Sequence, residues 1–341
     1  MVWQVGTLQL EVHLQRTKNI AYSENCGNMP RLKRILISRT DAIGDVCLTL
    51  PLCVALKQHF PDVTLVYLCR NYTVPVVARF EPINDMLIYE ELAELSTDER
   101  SKKLQEFTAV LHLFPNKMVA AWCKQARIPL RVGTAHRLHH WWTCNLLPWF
   151  SRKRSDLHEA QLNFYLAKAI GYPNIPNWVE IKQTAAFEVE DSLPVEFQSQ
   201  DFSKVILIHP KSNGSGVEYP IEKYAALSLL LVERGFEVFF TGTEKEGQLF
   251  RNLIPKNAKI KDVTGLWDLK TFIAIISKSK ALIACSTGPY HIAGLCQIQA
   301  IGLFSNTKPI HPGRWAAIGP HSKALTEIDT LNPQQIADAL R

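Results

Sequence analysis

The sequence predicts an α/β protein built from two similar halves, each holding a mostly parallel sheet. Short runs of leucine and β-branched residues alternate with stretches whose apolar residues recur at helical spacing, and this alternation occurs twice along the chain. The length of 341 residues also exceeds the size at which one hydrophobic core usually divides into two. Proteins of this class bind ligands at the carboxyl ends of their strands, so we expect a site in the cleft between the halves.

In the first half, "RILIS" at 34–38 is a predicted strand, and "VCLTLPLCVALKQHF" at 46–60 has apolar residues at helical spacing. Pro51 has no amide hydrogen, so either the helix begins near Pro51 or its first turn is kinked. "VTLVYLC" at 63–69 is the next strand, and this strand–helix–strand spacing is typical of a parallel βαβ unit. Further strands are predicted at 86–90, 107–114 and 130–134.

The second half repeats this order of elements. An amphipathic helix is predicted at 220–235 and ends at Gly235, a residue typical of helix C-termini. Strands are predicted at 204–210, 236–242, 281–287 and 300–305, and further helices at 269–280 and 288–297.

Changes in composition divide the chain into segments. Residues 1–30 lack the features of a signal peptide, so we expect a disordered extension or a misassigned start codon. The polar stretch at 186–202 has few apolar positions and is the expected linker. We therefore predict a Rossmann-like domain at 31–185 and a second at 203–341, whose last helix is free to pack back on the first domain.

The composition is that of a globular protein, with 47% hydrophobic and 21% charged residues. A formal net charge of +6 suits a protein that binds phosphates or anionic surfaces, although proteins with neither role have similar charges. The eight cysteines form no Cys-x-x-Cys pair, which argues against a zinc cluster or disulfide framework and favours a reduced, cytosolic chain. No apolar run approaches the roughly 18 residues that a membrane-spanning helix needs.

The loop "RTDAIGDVCLTLP" at 39–51 connects the first strand to the first helix. It contains neither G-x-G-x-x-G nor G-x-x-x-x-G-K-[ST], so no nucleotide-binding fingerprint applies. Its place at the carboxyl end of a strand is nevertheless where α/β folds position functional residues. Asp45 directly precedes the helical pattern, and the residues alone leave two interpretations open: an N-cap or a functional acid. Asp41 is predicted to be a solvated turn acid.

Two polar loops in the second half are candidate anion sites. "STGPYHIAG" at 286–294 begins a helix, where hydroxyls and free amides suit a phosphate, although a capped turn without a ligand is the alternative. "HPKSNGSG" at 209–216 also follows a strand and adds a lysine and serines. Together the loops predict a diphosphate held between two strand ends, while the histidine of the first loop either reaches that anion or lies in the core. The candidate ligands are Lys211, Ser212, Ser286, Thr287, Gly288 and His291.

The segment 131–159 interleaves basic residues with Trp141, Trp142 and Trp149. This pattern suits nucleic acid, anionic lipid headgroups or phosphorylated sugars, and it is equally typical of a solvated basic face. The chain has no Asp-x-Asp, H-E-x-x-H or G-x-S-x-G motif, which argues against metal-dependent and serine-hydrolase chemistry.

Four stretches in this order resemble the lipopolysaccharide heptosyltransferases of glycosyltransferase family 9. They are "RILISRTDAIGDVCLTLPLCVALKQHFPD", "ILIHPKSNGSGVEYPIEKYAAL", "GLWDLKTFIAIISKSKALIACSTGPYHIAGL" and "IGLFSNTKP", and the likeness runs from about residue 32 to 325. The chain departs from the family at Ser286, where many members have an acid, and at 217–220, where many have Lys-x-Trp-Pro. The phosphate-binding lysine is therefore expected at Lys211.

The resemblance implies a GT-B architecture, with two Rossmann-like domains and mostly parallel sheets facing a central cleft. It implies metal-independent transfer of heptose, with inversion, from ADP-heptose to the Kdo-lipid A core, without a cofactor. It further implies a cytoplasmic enzyme of the Gram-negative cell envelope, with peripheral contact at the inner membrane and no nucleic-acid partner. The alternatives are another GT-B nucleotide-sugar enzyme, such as an epimerase, and a non-catalytic nucleotide- or nucleic-acid-binding module.

The resemblance also assigns roles to residues. Asp45 becomes the general base, with Gly44 and Thr40 supporting its loop, and Thr287 and Gly288 become phosphate ligands. A base and a diphosphate site on facing domains suit an inverting transfer, and a helix N-terminus at Asp45 is expected to lower its pKa. The arginines expected to bind the acceptor are Arg39, Arg131, Arg137 and Arg152.

Overall fold

The computed structural model describes residues 30–189, 193–212, 214–308 and 310–340, so the predicted extension at 1–30 lies outside the described residues except for its last position. The strands are β1 Arg34–Ser38, β2 Thr64–Cys69, β3 Asp85–Ile88, β4 Ala109–His112, β5 Leu130–Val132, β6 Val205–His209, β7 Glu237–Phe240, β8 Ile260–Asp262, β9 Ala281–Cys285, β10 Gln299–Leu303 and β11 Ser322–Leu325.

The helices of the first half are α1 Ile43–Cys47, α2 Leu50–His59, α3 Val74–Val77, α4 Tyr89–Glu94, α5 Thr97–Leu104, α6 Lys117–Gln125, α7 Leu138–Thr143, α8 Glu159–Lys168 and α9 Trp178–Thr184. Those of the second half are α10 Ile221–Glu233, α11 Glu244–Phe250, α12 Leu269–Lys278, α13 Gly288–Leu295, α14 Pro312–Trp315 and α15 Pro333–Asp338. In the part of the chain that the structure describes, 3₁₀ turns lie at Asn71–Thr73, Val195–Phe197, Phe202–Lys204 and Arg251–Leu253.

Each half contains one parallel sheet. The first has the strand order β3-β2-β1-β4-β5, and the second has β11-β10-β9-β6-β7-β8. The central strands β1, β6 and β9 are buried almost throughout, as expected for parallel strands that have helices on both faces. In each sheet the strand order reverses at the centre, beside β1 in the first and between β6 and β9 in the second. Ligands of open α/β sheets bind outside the carboxyl ends of strands at such reversals.

The helix predicted at 46–60 is in fact two helices. The α1 helix begins at Ile43 after Ala42, its N-cap residue, and the α2 helix begins at Leu50 with Pro51 in its first turn. Pro51 can occupy that turn because the first amides of a helix need no partner within the helix. Asp45 therefore lies inside α1 and makes no capping bond, so its interpretation as an N-cap is wrong.

Several predicted boundaries differ from the structure. The strand predicted at 86–90 ends at Ile88, because Tyr89 begins α4, and the short strands β8 and β11 were not predicted. Within the expected linker, the amide of Phe187 donates to the carbonyl of Leu295, and Phe197 packs on Trp267 with a ring separation of 5.2 Å. Apolar side chains thus attach this stretch to the second half.

The last helix, α15, packs on α10 of its own half. Ile336 is buried in the core of the second half, and Asp338 pairs with Arg234 at 2.5 Å. The alternative packing of this helix against the first half is therefore not the one observed.

One continuous hydrophobic core joins the two halves. It contains Ile37 and Leu56 from the first half and Ile275 and Tyr290 from the second. Seven cysteines are free thiols in the described ranges, whereas Cys26 lies outside them. Within the same ranges, no helix has the length and apolar character needed to cross a bilayer.

Candidate active site

A cavity of about 890 Å³ opens between the carboxyl ends of the two sheets. The first half contributes the start of α1 and Tyr72, and the second half contributes the loops after β6, β7 and β9. The volume is in the range of sites for small ligands. Of the candidate residues, the cavity is lined by Gly44, Asp45, Lys211, Ser212, Ser286, Thr287, Gly288 and His291.

The first turns of α1 and α13 meet at the floor of the cavity. A Cβ at Gly44 would lie 2.8 Å from Cδ2 of His291, and a Cβ at Gly288 would lie 3.0 Å from the side chain of Ile43. Both glycines are needed for this approach, because a larger side chain would separate the helices. The contact brings the loop of Asp45 directly against the predicted phosphate turn.

Asp45 is mostly buried and forms an ion pair with Arg39. Burial raises the pKa of Asp45 above its usual value, the Arg39 charge opposes this rise, and Glu159 adds to it. The expectation that a helix N-terminus would lower this pKa is therefore wrong, because the cost of removing the carboxylate from water dominates. A carboxylate with a raised pKa is a better proton acceptor near neutral pH.

Asp41 shares Arg39 with Asp45. Its Oδ1 lies 2.8 Å from Nε of Arg39, and only 18% of its side chain is exposed. Burial raises the pKa of Asp41 to about 7, although Arg39 opposes the rise. Asp41 is therefore not the solvated turn acid that the sequence suggested.

Glu159, at the start of α8, was not among the sequence candidates. Its carboxylate lies 2.8 Å from Nε of Arg152, 2.9 Å from Nη2 of Arg314 and 3.8 Å from Nη1 of Arg39. Burial alone would raise its pKa, but the three guanidinium groups outweigh burial and lower it. The available signal was an acid five residues after the basic run at 152–154, and it gave no indication of burial.

The two predicted phosphate loops lie together. The Ser215 hydroxyl donates to the carbonyl of Ser286 at 2.8 Å, which joins the loop after β6 to the loop after β9. Thr287 is the N-cap residue of α13 but makes no side-chain capping bond, and its buried hydroxyl has no protein partner. Buried hydroxyls usually have a partner, so this group is available to a ligand at the amide-rich end of the helix.

Lys211 reaches the cavity with its ammonium already paired. Nζ donates to Oε2 of Glu218 at 2.5 Å, and the other oxygen of Glu218 accepts from the Ser212 amide at 2.8 Å. The sequence singled out the run 217–220 as a departure from the family but did not identify Glu218 as the partner of Lys211.

His291 is 3% exposed, and burial lowers its pKa to about 4. The ring is therefore neutral at pH 7, so it offers no positive charge to an anion. Its Nδ1 has no protein partner, and its position against Gly44 makes it a packing element at the junction of α1 and α13.

The far end of the cavity is apolar and was missed by sequence reasoning. Trp267 and Phe272 stack with ring centroids 6.1 Å apart, and Val263 and Leu269 complete this wall. Polar groups of His209, Thr241 and Glu246 lie on the same side, with His209 Nδ1 and Thr241 Oγ1 3.1 Å apart. An apolar slot with a few polar groups suits a flat heterocycle attached to a sugar.

The arginines predicted to bind an acceptor occupy different environments. Arg39 and Arg152 belong to the ion cluster around Glu159, and Arg131 donates to the carbonyls of Thr143 and Ile128. Only Arg137 of the four is exposed. Thr40, predicted to support the loop, is buried and accepts from Asn116 at 3.3 Å.

Arg137 adjoins a group of exposed large side chains on and near α7. We call Leu138, Trp141, Trp142 and Trp149 the α7 patch; their exposed fractions are 75%, 41%, 64% and 43%. Lys153 and Arg154 are also exposed.

Across residues 30–189, 193–212, 214–308 and 310–340, no three His, Cys, Asp or Glu side chains are grouped so as to hold a metal ion.

Comparison with known proteins identifies relatives for most of the chain. The model of the family described as "Glycosyltransferase family 9 (heptosyltransferase)" matches residues 100–336. A putative glycosyltransferase of Haemophilus influenzae is 26% identical, with 86% of this chain and 88% of that protein covered. Lipopolysaccharide heptosyltransferase 3 of Escherichia coli is 23% identical, with 80% and 84% covered.

Among solved structures, the chain is similar to the E. coli ADP-heptose lps heptosyltransferase II. The TM-score is 0.72 at 17% identity, with 91% of this chain and 97% of that chain covered. This likeness confirms the predicted GT-B type of fold.

Proposed function

Since the chain belongs to glycosyltransferase family 9 and is a glycosyltransferase, we propose that it transfers heptose from ADP-heptose to the inner core of lipopolysaccharide. The proposed acceptor is Kdo-lipid A or its heptosylated form, and the transfer inverts the anomeric carbon without a metal. Two similar proteins carry the names lipopolysaccharide heptosyltransferase 3 and ADP-heptose lps heptosyltransferase II, which support this donor and this acceptor.

The donor is proposed to lie along the second half of the cavity. The apolar slot of Trp267 and Phe272 suits adenine, and the turn at Thr287 suits the diphosphate. The N-terminus of α13 offers backbone amides and the positive end of the helix dipole. The Thr287 hydroxyl has no competing protein partner. Lys211 adds a positive charge whose position is set by Glu218.

Asp45 is the proposed general base. An acceptor hydroxyl attacks the anomeric carbon from the face opposite the diphosphate, the bond from that carbon to the phosphate oxygen breaks, and ADP leaves. The hydroxyl is too weak an acid to ionise beforehand, so its proton passes to the Asp45 carboxylate during attack. General-base assistance of this kind is typically worth about 10² to 10⁴ in rate.

The departing ADP gains negative charge as the bond breaks. Groups that already point at that position stabilise the charge without reorganising. We assign this role to the first-turn amides of α13, the unpartnered hydroxyl of Thr287 and the ammonium of Lys211.

The α7 patch is the proposed contact for the lipid-linked acceptor at the cytoplasmic face of the inner membrane. Tryptophan suits the boundary between headgroups and acyl chains, and Arg137, Lys153 and Arg154 suit anionic headgroups. Because Arg39 and Arg152 are held in the ion cluster, we assign direct acceptor contacts to the exposed Arg137.

The observation that carries this proposal is that Asp45 and Thr287 line the same cavity from opposite halves. The test is incubation of the purified protein with ADP-heptose, with and without a Kdo-bearing acceptor, in the presence and absence of EDTA. We expect ADP release and a heptosylated product only with acceptor, and equally in EDTA. An altered sugar without acceptor would indicate an epimerase, binding without turnover would indicate a non-catalytic module, and loss of activity in EDTA would refute the metal-free scheme.

A further inference from the structure

Three arginines from distant parts of the chain converge on the Glu159 carboxylate. Arg39 follows β1, Arg152 precedes α8, and Arg314 lies in α14 of the second half. The Glu159 side chain is only 2% exposed, so its charge is screened by these partners and hardly by water. A buried carboxylate with several guanidinium partners is costly to disrupt, because removing one member leaves uncompensated charge.

The same cluster contains the proposed base. Arg39 lies between Glu159 and Asp45, and it also contacts Asp41. Two hydrogen bonds to one backbone carbonyl hold these arginines together: Nη1 of Arg39 and Nη2 of Arg152 both donate to the carbonyl of Leu113, at 3.2 Å and 3.3 Å. Arg39, which pairs with Asp45, is therefore also in contact with a carboxylate that does not line the cavity.

Glu159 also joins the two halves. Arg314, which lines the cavity, donates to Oε2 of Glu159 at 2.9 Å and to the backbone carbonyl of Arg152. The neighbouring His158 lies 3.0 Å from the carbonyl oxygen of Ala316, again across the halves. His158 and Glu159, at the start of α8, thus contact Ala316 and Arg314, at the end of α14.

We propose that Glu159 is a positioning residue for the transfer reaction. Its carboxylate shares Arg39 with Asp45 and holds Arg314 of the opposite half, so that the base and the donor-binding wall keep one relative arrangement. This inference rests on the proposed role of Asp45 as the base. Glu159 takes no part in the proton transfer itself.

If Glu159 has this positioning role, its removal should change how kcat depends on pH. Loss of the Glu159 charge leaves Arg39 and Arg152 less neutralised, so Asp45 becomes easier to ionise and a weaker base. Helix α3, which also packs on α1, has no titratable side chain. The titratable and charged groups facing or adjoining Asp45 are Arg39, Asp41, Cys47, Tyr67, Tyr72, Arg152, Glu159, His291 and Arg314.

The test compares kcat against pH for Glu159→Gln, Glu159→Asp and the wild type, using ADP-heptose and a Kdo-bearing acceptor. We expect Glu159→Gln to lower kcat at pH 7 by about tenfold or more and to move the acid limb of the profile to lower pH by about one unit. Glu159→Asp retains the negative charge, so the acid limb of its pH profile should lie at the same pH as in the wild type, although kcat should fall. Glu180→Gln, an exposed carboxylate in the capping box of α9, is the matched control and should change neither quantity.

A folded Glu159→Gln protein with an unshifted acid limb would overturn the inference. If that variant does not fold, Glu159→Asp decides the question: its shorter side chain draws the carboxylate back from Arg39 and Arg314, so a folded Glu159→Asp protein with wild-type kcat would overturn the inference. Failure of the proposed function looks different: the wild type has no transferase activity, or Asp45→Asn keeps its turnover.

Discussion

Gly44 and His291 are in direct contact across the floor of the cavity, with no room for a methyl group between them: a Cβ at Gly44 would lie 2.8 Å from Cδ2 of the histidine. The contact joins α1 of the first half to α13 of the second. Asp45 follows Gly44, and the phosphate turn precedes His291 by one helical turn. Packing at this point therefore determines the separation of the proposed base and the proposed diphosphate.

Gly44→Ala should separate α1 from α13. Overpacking of this kind usually costs about 1 to 3 kcal/mol, and kcat should fall with the loss of alignment. The measurement is the free energy of unfolding of Gly44→Ala, His291→Ala and the double variant. Because His291→Ala removes the atoms that clash, the double variant should be more stable than the sum of the single effects predicts. Simple additivity would show that the contact is not tight.

Asp45→Asn should abolish most turnover. Asparagine preserves the shape of the side chain but cannot accept the proton, so kcat should fall by roughly 10² or more, with ADP affinity close to wild type. Asp41→Asn is the matched control, since Asp41 shares Arg39 but does not line the cavity. If Asp41→Asn loses as much turnover as Asp45→Asn, the base has been assigned to the wrong carboxylate.

Turnover should depend on the ionisation of these two carboxylates. Burial raises both pKa values, that of Asp41 to about 7, and only ionised Asp45 accepts a proton. We therefore expect kcat/KM to decrease as the pH falls, with an apparent pKa that belongs to the coupled pair and lies above that of an ordinary aspartate. Asp41→Asn removes a neighbouring negative charge and should move this limb to lower pH. A profile that stays flat down to pH 5 would contradict the burial of the base.

Thr287→Val should weaken ADP binding without destabilising the protein. The Thr287 hydroxyl is buried and has no protein partner, so its loss removes a bond to the ligand and none within the fold. We expect the Kd for ADP, measured by calorimetry, to rise roughly fivefold to tenfold, equivalent to about 1 kcal/mol. Thr143→Val is the control, since that hydroxyl donates to the carbonyl of His139 away from the cavity. Thr143→Val should lower the free energy of unfolding and leave the Kd for ADP unchanged. A Thr287→Val protein that loses stability but binds ADP with the wild-type Kd would exclude Thr287 as a ligand.

Replacement of Leu138 and Trp142 by glutamine should weaken binding to vesicles that contain anionic lipid. These side chains are 75% and 64% exposed, so the melting temperature should not fall. Cosedimentation with vesicles at low and high salt separates the apolar contribution from the salt-sensitive one. Leu249→Gln, at a 67% exposed position on α11, is the control. Equal vesicle binding by all variants would show that the α7 patch is only a solvated surface.

Local patterns in the sequence were sufficient to predict most strands, several helices and the loops that form the cavity. Alternating strand and helix periods predicted two parallel sheets, because parallel strands covered on both faces are continuously apolar. The position of each polar loop after a strand then placed Asp45, Lys211 and Thr287 at carboxyl ends. The strands β8 and β11 were not predicted, because their sequences, IKD and SKAL, contain charged residues and no apolar run.

Only the tertiary structure decided the electrostatic state of the site. The burial of Asp41 and Asp45, the pairing of Lys211 with Glu218, and the gathering of Arg39, Arg152 and Arg314 around Glu159 depend on residues brought together from different elements. Arg39 and Arg314 are separated by most of the chain and meet at one carboxylate. Sequence periodicity determines which face of an element is buried, but the pKa of a carboxylate depends on its distance from charges and from water, and those distances exist only once the two halves have packed together.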